Sequence, residues 1–144
     1  MEETSLPFYH PFLLDHNRAP RHYEKRPEAG CVVEAYNALC GDKFKLYLDV
    51  ADGRVAKATF HGYGCAVSKA SVSVLMTKIQ GLPLPEVAQL LDEFLGDLGL
   101  TTTPNTHAPQ LSAVEKAAFA AARAFPGRLK CATLGWEALR NFLF

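Results

Sequence analysis

Three cysteines and one aspartate stand where chain turns could aim them at a common point. Cys40 lies in Leu39-Cys40-Gly41-Asp42, Cys65 in Gly62-Tyr63-Gly64-Cys65, and Cys131 shortly after Pro126-Gly127. Gly41 lets Cys40 and Asp42 turn together, and Gly62 and Gly64 let the backbone come close to a bound centre. Cys65 and Cys131 are expected at helix N-termini, where the dipole and unpaired N–H groups favour the thiolate. The thiolate is the form that binds metal and attacks sulfur. Three thiolates and one carboxylate suit a tetrahedral zinc site, and thiolates also hold iron–sulfur clusters. Three unrelated buried cysteines are the competing reading, because cysteine is often buried and no Cys-x-x-Cys occurs. The flanking glycines and Asp42 weigh against it.

The remaining polar candidates read as structural. Cys31 starts a strand without glycine neighbours and reads as a small hydrophobe. His10, His16, His22, His61 and His107 read as surface, capping or loop residues. His61 is the one to watch, four residues before Cys65. Arg18, Arg21, Lys25 and Arg26 form a basic run that reads as a solvated loop, with a protein partner as the alternative.

The elements that must position these residues follow from periodicity. Residues 5–17 read as a short helix that Ser5 could cap, with Phe8, Phe12 and Leu13 on one side. Residues 17–27 read as loop. Residues 32–37 are a first strand. Phe44, Leu46, Leu48 and Val50 alternate with Lys43, Lys45, Tyr47 and Asp49, the pattern of a strand buried on one face. Asp52-Gly53 is a hairpin signal, and residues 55–61 return as a third strand. Residues 66–80 then read as a helix, with Gly81 and Pro83 stopping it. Val87, Leu90, Leu91 and Phe94 give an amphipathic helix. Residues 99–109 read as a loop. Ser112 and Glu115 form a capping box opening a helix to Ala124. Pro126-Gly127 reads as a break, and a last helix covers about 131–142. Strands first and helices later predict an α+β fold, a three-stranded antiparallel meander with helices on one face.

Composition narrows the function. The 144 residues are 49% apolar, enough for one domain over 1–144 with its own core. Fifteen basic and fifteen acidic side chains cancel, which argues against a nucleic-acid binder driven by bulk charge. No run of 18 apolar residues suggests a membrane span. The acidic Met1-Glu2-Glu3, with His10 and Pro11 interrupting the apolar residues 8–14, does not read as a signal peptide. The expected compartment is therefore a reducing cytoplasm, where cysteines are read first as ligands or reactive thiols.

The motifs resemble a known family. Asn37-Ala38-Leu39-Cys40-Gly41-Asp42, Gly62-Tyr63-Gly64-Cys65-Ala66-Val67-Ser68-Lys69-Ala70-Ser71 and Lys130-Cys131-Ala132-Thr133-Leu134-Gly135-Trp136 are similar to the three cysteine motifs of the U-type iron–sulfur cluster assembly proteins. Asp15-His16-Asn17-Arg18-Ala19-Pro20-Arg21 resembles their N-terminal segment. Lys130 stands where the IscU branch has a histidine, and a long stretch separates the second and third cysteines. Both features resemble the SufU branch. Ala38 departs from a proline often found there, which changes turn stiffness and not ligand chemistry. The resemblance implies zinc held by Cys40, Asp42, Cys65 and Cys131. It also implies sulfur accepted from a cysteine desulfurase, with Cys40 the acceptor, for use by cluster-accepting apoproteins or a scaffold. Cys40 is also the residue that loop position favours, since it lies between two strands beside Gly41. A scaffold carrying a transient iron–sulfur cluster, a zinc-stabilised interaction module without chemistry, and a thiol oxidoreductase are the other readings.

Overall fold

A computed structural model describes residues 10–38, 41–100, 109–124 and 126–144. The order is α1 (Pro11–Arg18), β1 (Cys31–Asn37), β2 (Asp42–Ala51), β3 (Arg54–Tyr63), α2 (Ala66–Ile79), α3 (Leu84–Asp97), α4 (Ala113–Ala120), a 3-10 turn (Ala121–Ala124) and α5 (Pro126–Leu143). The strands pair antiparallel in the order β1-β2-β3. The fold is the expected α+β meander. No helix among the described residues is long and apolar enough to cross a membrane.

Alternation decides which way the sheet faces. Phe44, Leu46 and Leu48 are fully buried, while Lys43 and Lys45, on either side of Phe44, are exposed. Phe60 and Ala58 continue the buried face on β3, and Val33 and Ala35 on β1. Helices α2 and α5 cover this face, α2 against β3 and α5 against β1, and they pack on each other. Fully burying one Leu or Phe side chain contributes roughly 1.5–3 kcal/mol, so the row Phe44, Leu46 and Leu48 pins the register. A slip by one residue would put lysines inside.

The opposite face is partly covered as well. Residues 22–24 run along the free edge of β3. The Glu24 amide donates to the Phe60 carbonyl at 2.9 Å, and the Phe60 amide to the His22 carbonyl at 2.9 Å. The chain then crosses the outer face, where Arg26 pairs with Asp49 and the Gly30 amide donates to Asp49 at 2.8 Å. That crossing accounts for Tyr47, an outward residue only 2% exposed. Burial raises its phenol above the ordinary value.

The proposed Ser5 cap and Phe8 lie outside the described residues, as does most of the 99–109 loop with His107. Of the other expectations, some are corrected and some are borne out. Within the described residues His10 caps α1, its ring accepting from the Phe12 amide at 3.1 Å. His16 is not a surface residue. It is 6% exposed, and its Nδ1 lies 2.7 Å from Ser73 Oγ, which also accepts from the Arg21 amide at 2.8 Å. The basic run is not a solvated loop throughout: Arg26 is 7% exposed and paired, and Arg21 binds Asp15 at 2.5 Å. The capping box forms, with Ser112 and Glu115 exchanging hydrogen bonds of 2.8 and 3.1 Å. Its helix ends at Ala120 and tightens into the 3-10 turn instead of running on to Ala124.

Burial, helped by Arg21, holds the His16 imidazole below its ordinary value of 6.5. The unfolded chain therefore takes up this proton first as pH falls. Stability is fully present above about 6.5 and declines as pH drops from there towards the folded-state value. Urea midpoints measured from pH 7.5 down to 5.5 should fall for the wild type, with a shallower slope in His16→Gln. Parallel slopes would remove His16 as the source.

Candidate metal centre

Each site residue is placed by the end of an element. Asp42 is the first residue of β2 and belongs to the inward set with Phe44, so its carboxyl points under the sheet and is 1% exposed. The Gly41 amide donates to the Asn37 carbonyl at 2.8 Å, closing the connection from β1. Cys65 caps α2, and its sulfur accepts from the Ser68 amide at 3.4 Å. Cys131 sits in α5 at 1% exposure, its sulfur 3.5 Å from the Gly127 carbonyl.

A carboxylate oxygen of Asp42 and the sulfurs of Cys65 and Cys131 all lie within 4.8 Å of one another. Asp42 Oδ1 accepts from the Cys65 amide at 3.0 Å. Its Oδ2 is buried without a hydrogen-bond partner among the described residues. A buried carboxylate oxygen in that condition is costly unless something cationic or protic meets it. Two sulfurs and one carboxylate are a donor set that zinc accepts.

Two glycines hold the approach open. A Cβ on Gly62 would lie 2.2 Å from the Lys43 carbonyl oxygen and 2.7 Å from Phe44 Cα, at a φ of +148°. A Cβ on Gly64 would lie 2.8 Å from Asp42 Oδ1 and 2.6 Å from Ser68 Oγ. The backbone before Cys65 can therefore run this close to β2 at Gly62, and to Asp42 at Gly64, only without side chains.

A hydrogen bond with Cys131 and further ones from Ser68 bring the Cys65 thiol from 9.0 down to about 5, against the opposing effects of burial and the Asp42 charge. Ser68 was not singled out from the sequence. Its spacing three residues after a helix-capping cysteine is the signal that could have found it.

Cys131 does not open its helix as expected. The helix starts at Pro126, and Cys131 lies in the second turn. Proline is favoured at the first position of a helix, where its missing N–H costs nothing. Cys31 pairs with Leu48 while Asn37 pairs with Asp42, so Cys31 lies at the far end of the strands, about 20 Å from Asp42 at ~3.4 Å per residue. His61 pairs with Lys45 on the outer face, opposite to Asp42, and its ring lies against Tyr23 at 4.8 Å. Cys40 lies outside the described residues.

Residues 8–132 match the NifU-like N terminal domain. The chain belongs to that family. Among relatives of this NifU-like domain, an iron-sulfur cluster assembly scaffold protein IscU of Thermotoga maritima is 31% identical over 135 residues, covering 94% of this chain and 92% of its own. A zinc-dependent sulfurtransferase SufU of Bacillus subtilis is 31% identical over 133 residues, covering 92% of this chain and 87% of its own. The crystal structure of a candidate iron-sulfur cluster assembly scaffold for the SUF system from Fervidobacterium islandicum AW-1 superposes with a TM-score of 0.80 at 24% identity. It covers 96% of each chain, which speaks for the NifU-like fold.

Proposed function

We propose that this NifU-like domain is an iron–sulfur cluster assembly protein that accepts persulfide sulfur from a cysteine desulfurase, with Cys40 the acceptor. Cys40, Asp42, Cys65 and Cys131 would hold zinc. Bound zinc supplies Lewis acidity that keeps coordinating thiols deprotonated. The observation that carries this reading is the buried meeting of Asp42, Cys65 and Cys131, with one carboxylate oxygen left unpartnered. The SufU relative supports it by its own activity.

The transfer balances without an added oxidant or reductant. The Cys40 thiolate attacks the outer sulfur of the donor's persulfide. A new S–S bond forms on Cys40, the donor's S–S bond breaks, and the donor cysteine leaves as a thiolate. Around that step the other residues hold still. Cys65 is fixed by the cap of α2, Cys131 by α5, and Asp42 by the Cys65 amide. The sulfur then passes to a scaffold or a cluster-accepting apoprotein. A reducing cytoplasm suits thiols kept for this use.

The IscU relative favours a second reading, in which the chain carries an iron–sulfur cluster and passes it on. Metal analysis of protein purified without oxygen separates the two. One zinc per chain is expected. Iron with acid-labile sulfide would favour the scaffold.

Chelation tests the interaction-module reading. The core is one large cluster of buried apolar side chains that includes Phe44, Phe60, Leu75, Phe94 and Trp136, and a chain of this size can fold on such a core, so the chelated protein should keep its helical circular dichroism. Collapse of that signal would make the metal structural and overturn the transfer reading.

A further inference from the structure

The outer face of the sheet carries a group of cations and aromatics that no step above uses. Tyr36, Lys43 and Tyr63 form one row across the three strands, and Glu34, Lys45 and His61 the next. Tyr36 and Tyr63 are 60% and 65% exposed. Lys25, from the crossing segment, lines a shallow hollow of about 280 Å³ with Lys43, Lys45, His61 and Tyr63.

Clustering sets this face apart from an ordinary solvated one. Lys25, Lys43 and Lys45 gather around one hollow and make no ion pair among the described residues. Only Glu34 opposes them in these rows. The whole chain is neutral, so the local excess of positive charge is a matter of placement. The row of Tyr36, Lys43 and Tyr63 also sits at the end of the sheet where Asp42 begins β2 and Cys65 follows β3. Exposed tyrosines are enriched in protein-binding patches, and lysines beside them supply charge that steers an encounter.

We propose that this face is the docking surface for the sulfur-donating protein, which meets it with an acidic patch. The assignment rests on the sulfur-acceptor reading above. A protein seated here lies over the sheet end at which Asp42 begins β2 and Cys65 follows β3. Lysines on such a surface steer encounter and set affinity, with little effect on the bond-making step. Single-stranded nucleic acid is disfavoured by the zero net charge, the lack of arginine in these two rows and the acid, Glu34, in the second row.

The experiment measures desulfurase turnover against concentration of the zinc-loaded chain. Lys25→Glu/Lys45→Glu leaves Cys40, Asp42, Cys65 and Cys131 and their immediate neighbours untouched. It should raise the half-saturating concentration by about tenfold or more, with the maximal rate and zinc content unchanged. Added salt should raise the wild-type value towards that of the variant. Lys25→Gln/Lys45→Gln should fall between. A wild type that stimulates turnover with charge-reversed variants that match it overturns the docking surface alone. A wild type that never stimulates turnover overturns the functional reading and this surface with it. Wild type binding an oligouridine more tightly than the desulfurase, with that binding lost in the variant, reassigns the face to nucleic acid.

Discussion

In Cys40→Ala the added sulfur should disappear from the chain, and desulfurase turnover should fall back to its unstimulated rate. The reason lies in what the other two thiols are doing. Cys131 is 1% exposed within α5, so a donor's persulfide cannot reach it unless that helix moves. Cys65 is half-buried, and its sulfur is tied to the Ser68 amide and to Cys131. Its low pKa makes it a good ligand, and nucleophilicity falls as thiol pKa falls. Cys40 lies in sequence between the end of β1 and the start of β2, beside the Asp42 that shares the site. Its loss should weaken metal binding only in part, since Asp42, Cys65 and Cys131 remain within 4.8 Å of one another. Cys31→Ala should change neither turnover nor metal content, because Cys31 sits at the opposite end of the strands. Mass spectrometry of the trapped persulfide decides the matter. Sulfur mapped to Cys65 or Cys131 would make a helix-anchored thiol the acceptor and overturn the assignment.

Most of the sheet was legible because burial on one face imposes a period of two. Lys43, Lys45 and Tyr47 could alternate with Phe44, Leu46 and Leu48 in no other element. The meeting of Asp42 with Cys65 was foreshadowed by the glycines, and at Gly62 and Gly64 the structure supplies the reason in contacts a Cβ would make. The misses share a cause. His16 depends on Ser73, 57 residues away, and Arg26 on Asp49, 23 away. No local pattern records such a partner. The start of α5 was misread for a different reason. Pro126-Gly127 resembles a break, yet proline suits the first position, and glycine at a helix end costs at most about 1 kcal/mol. The consequence is geometric: Cys131 lies in the second turn of α5, buried and facing Cys65, and not at the helix start.

Cys65 and Cys131 sit on α2 and α5, which are braced to each other through Ser71 and to α3 through Phe94, and breaking that brace should have the largest effect on stability. Trp136 is fully buried and stacks on Phe94 with ring centroids 3.7 Å apart and planes 7° apart. Its indole N–H donates to Ser71 Oγ at 2.8 Å, and Ser71 Oγ donates to the Ala132 carbonyl at 2.5 Å. Ser71 belongs to the helix that Cys65 caps, and Ala132 follows Cys131. Trp136→Ala removes the stacking and leaves a cavity, which should cost about 3–5 kcal/mol. Thermal unfolding should then shift down by roughly 10–20 °C for a chain of this size. Trp136→Phe keeps most of the packing and loses the indole donor, so roughly 1–2 kcal/mol is expected. Below its unfolding temperature the alanine variant should still show helical circular dichroism. It should release metal to a competing chelator faster than the phenylalanine variant, because the two sulfurs are then less firmly spaced. Two variants that melt together would place the stability in the indole hydrogen bond and not in the stack. An alanine variant that melts low yet holds metal as tightly as wild type would separate the brace from the site and leave Gly64 and Asp42 as the features that set its geometry.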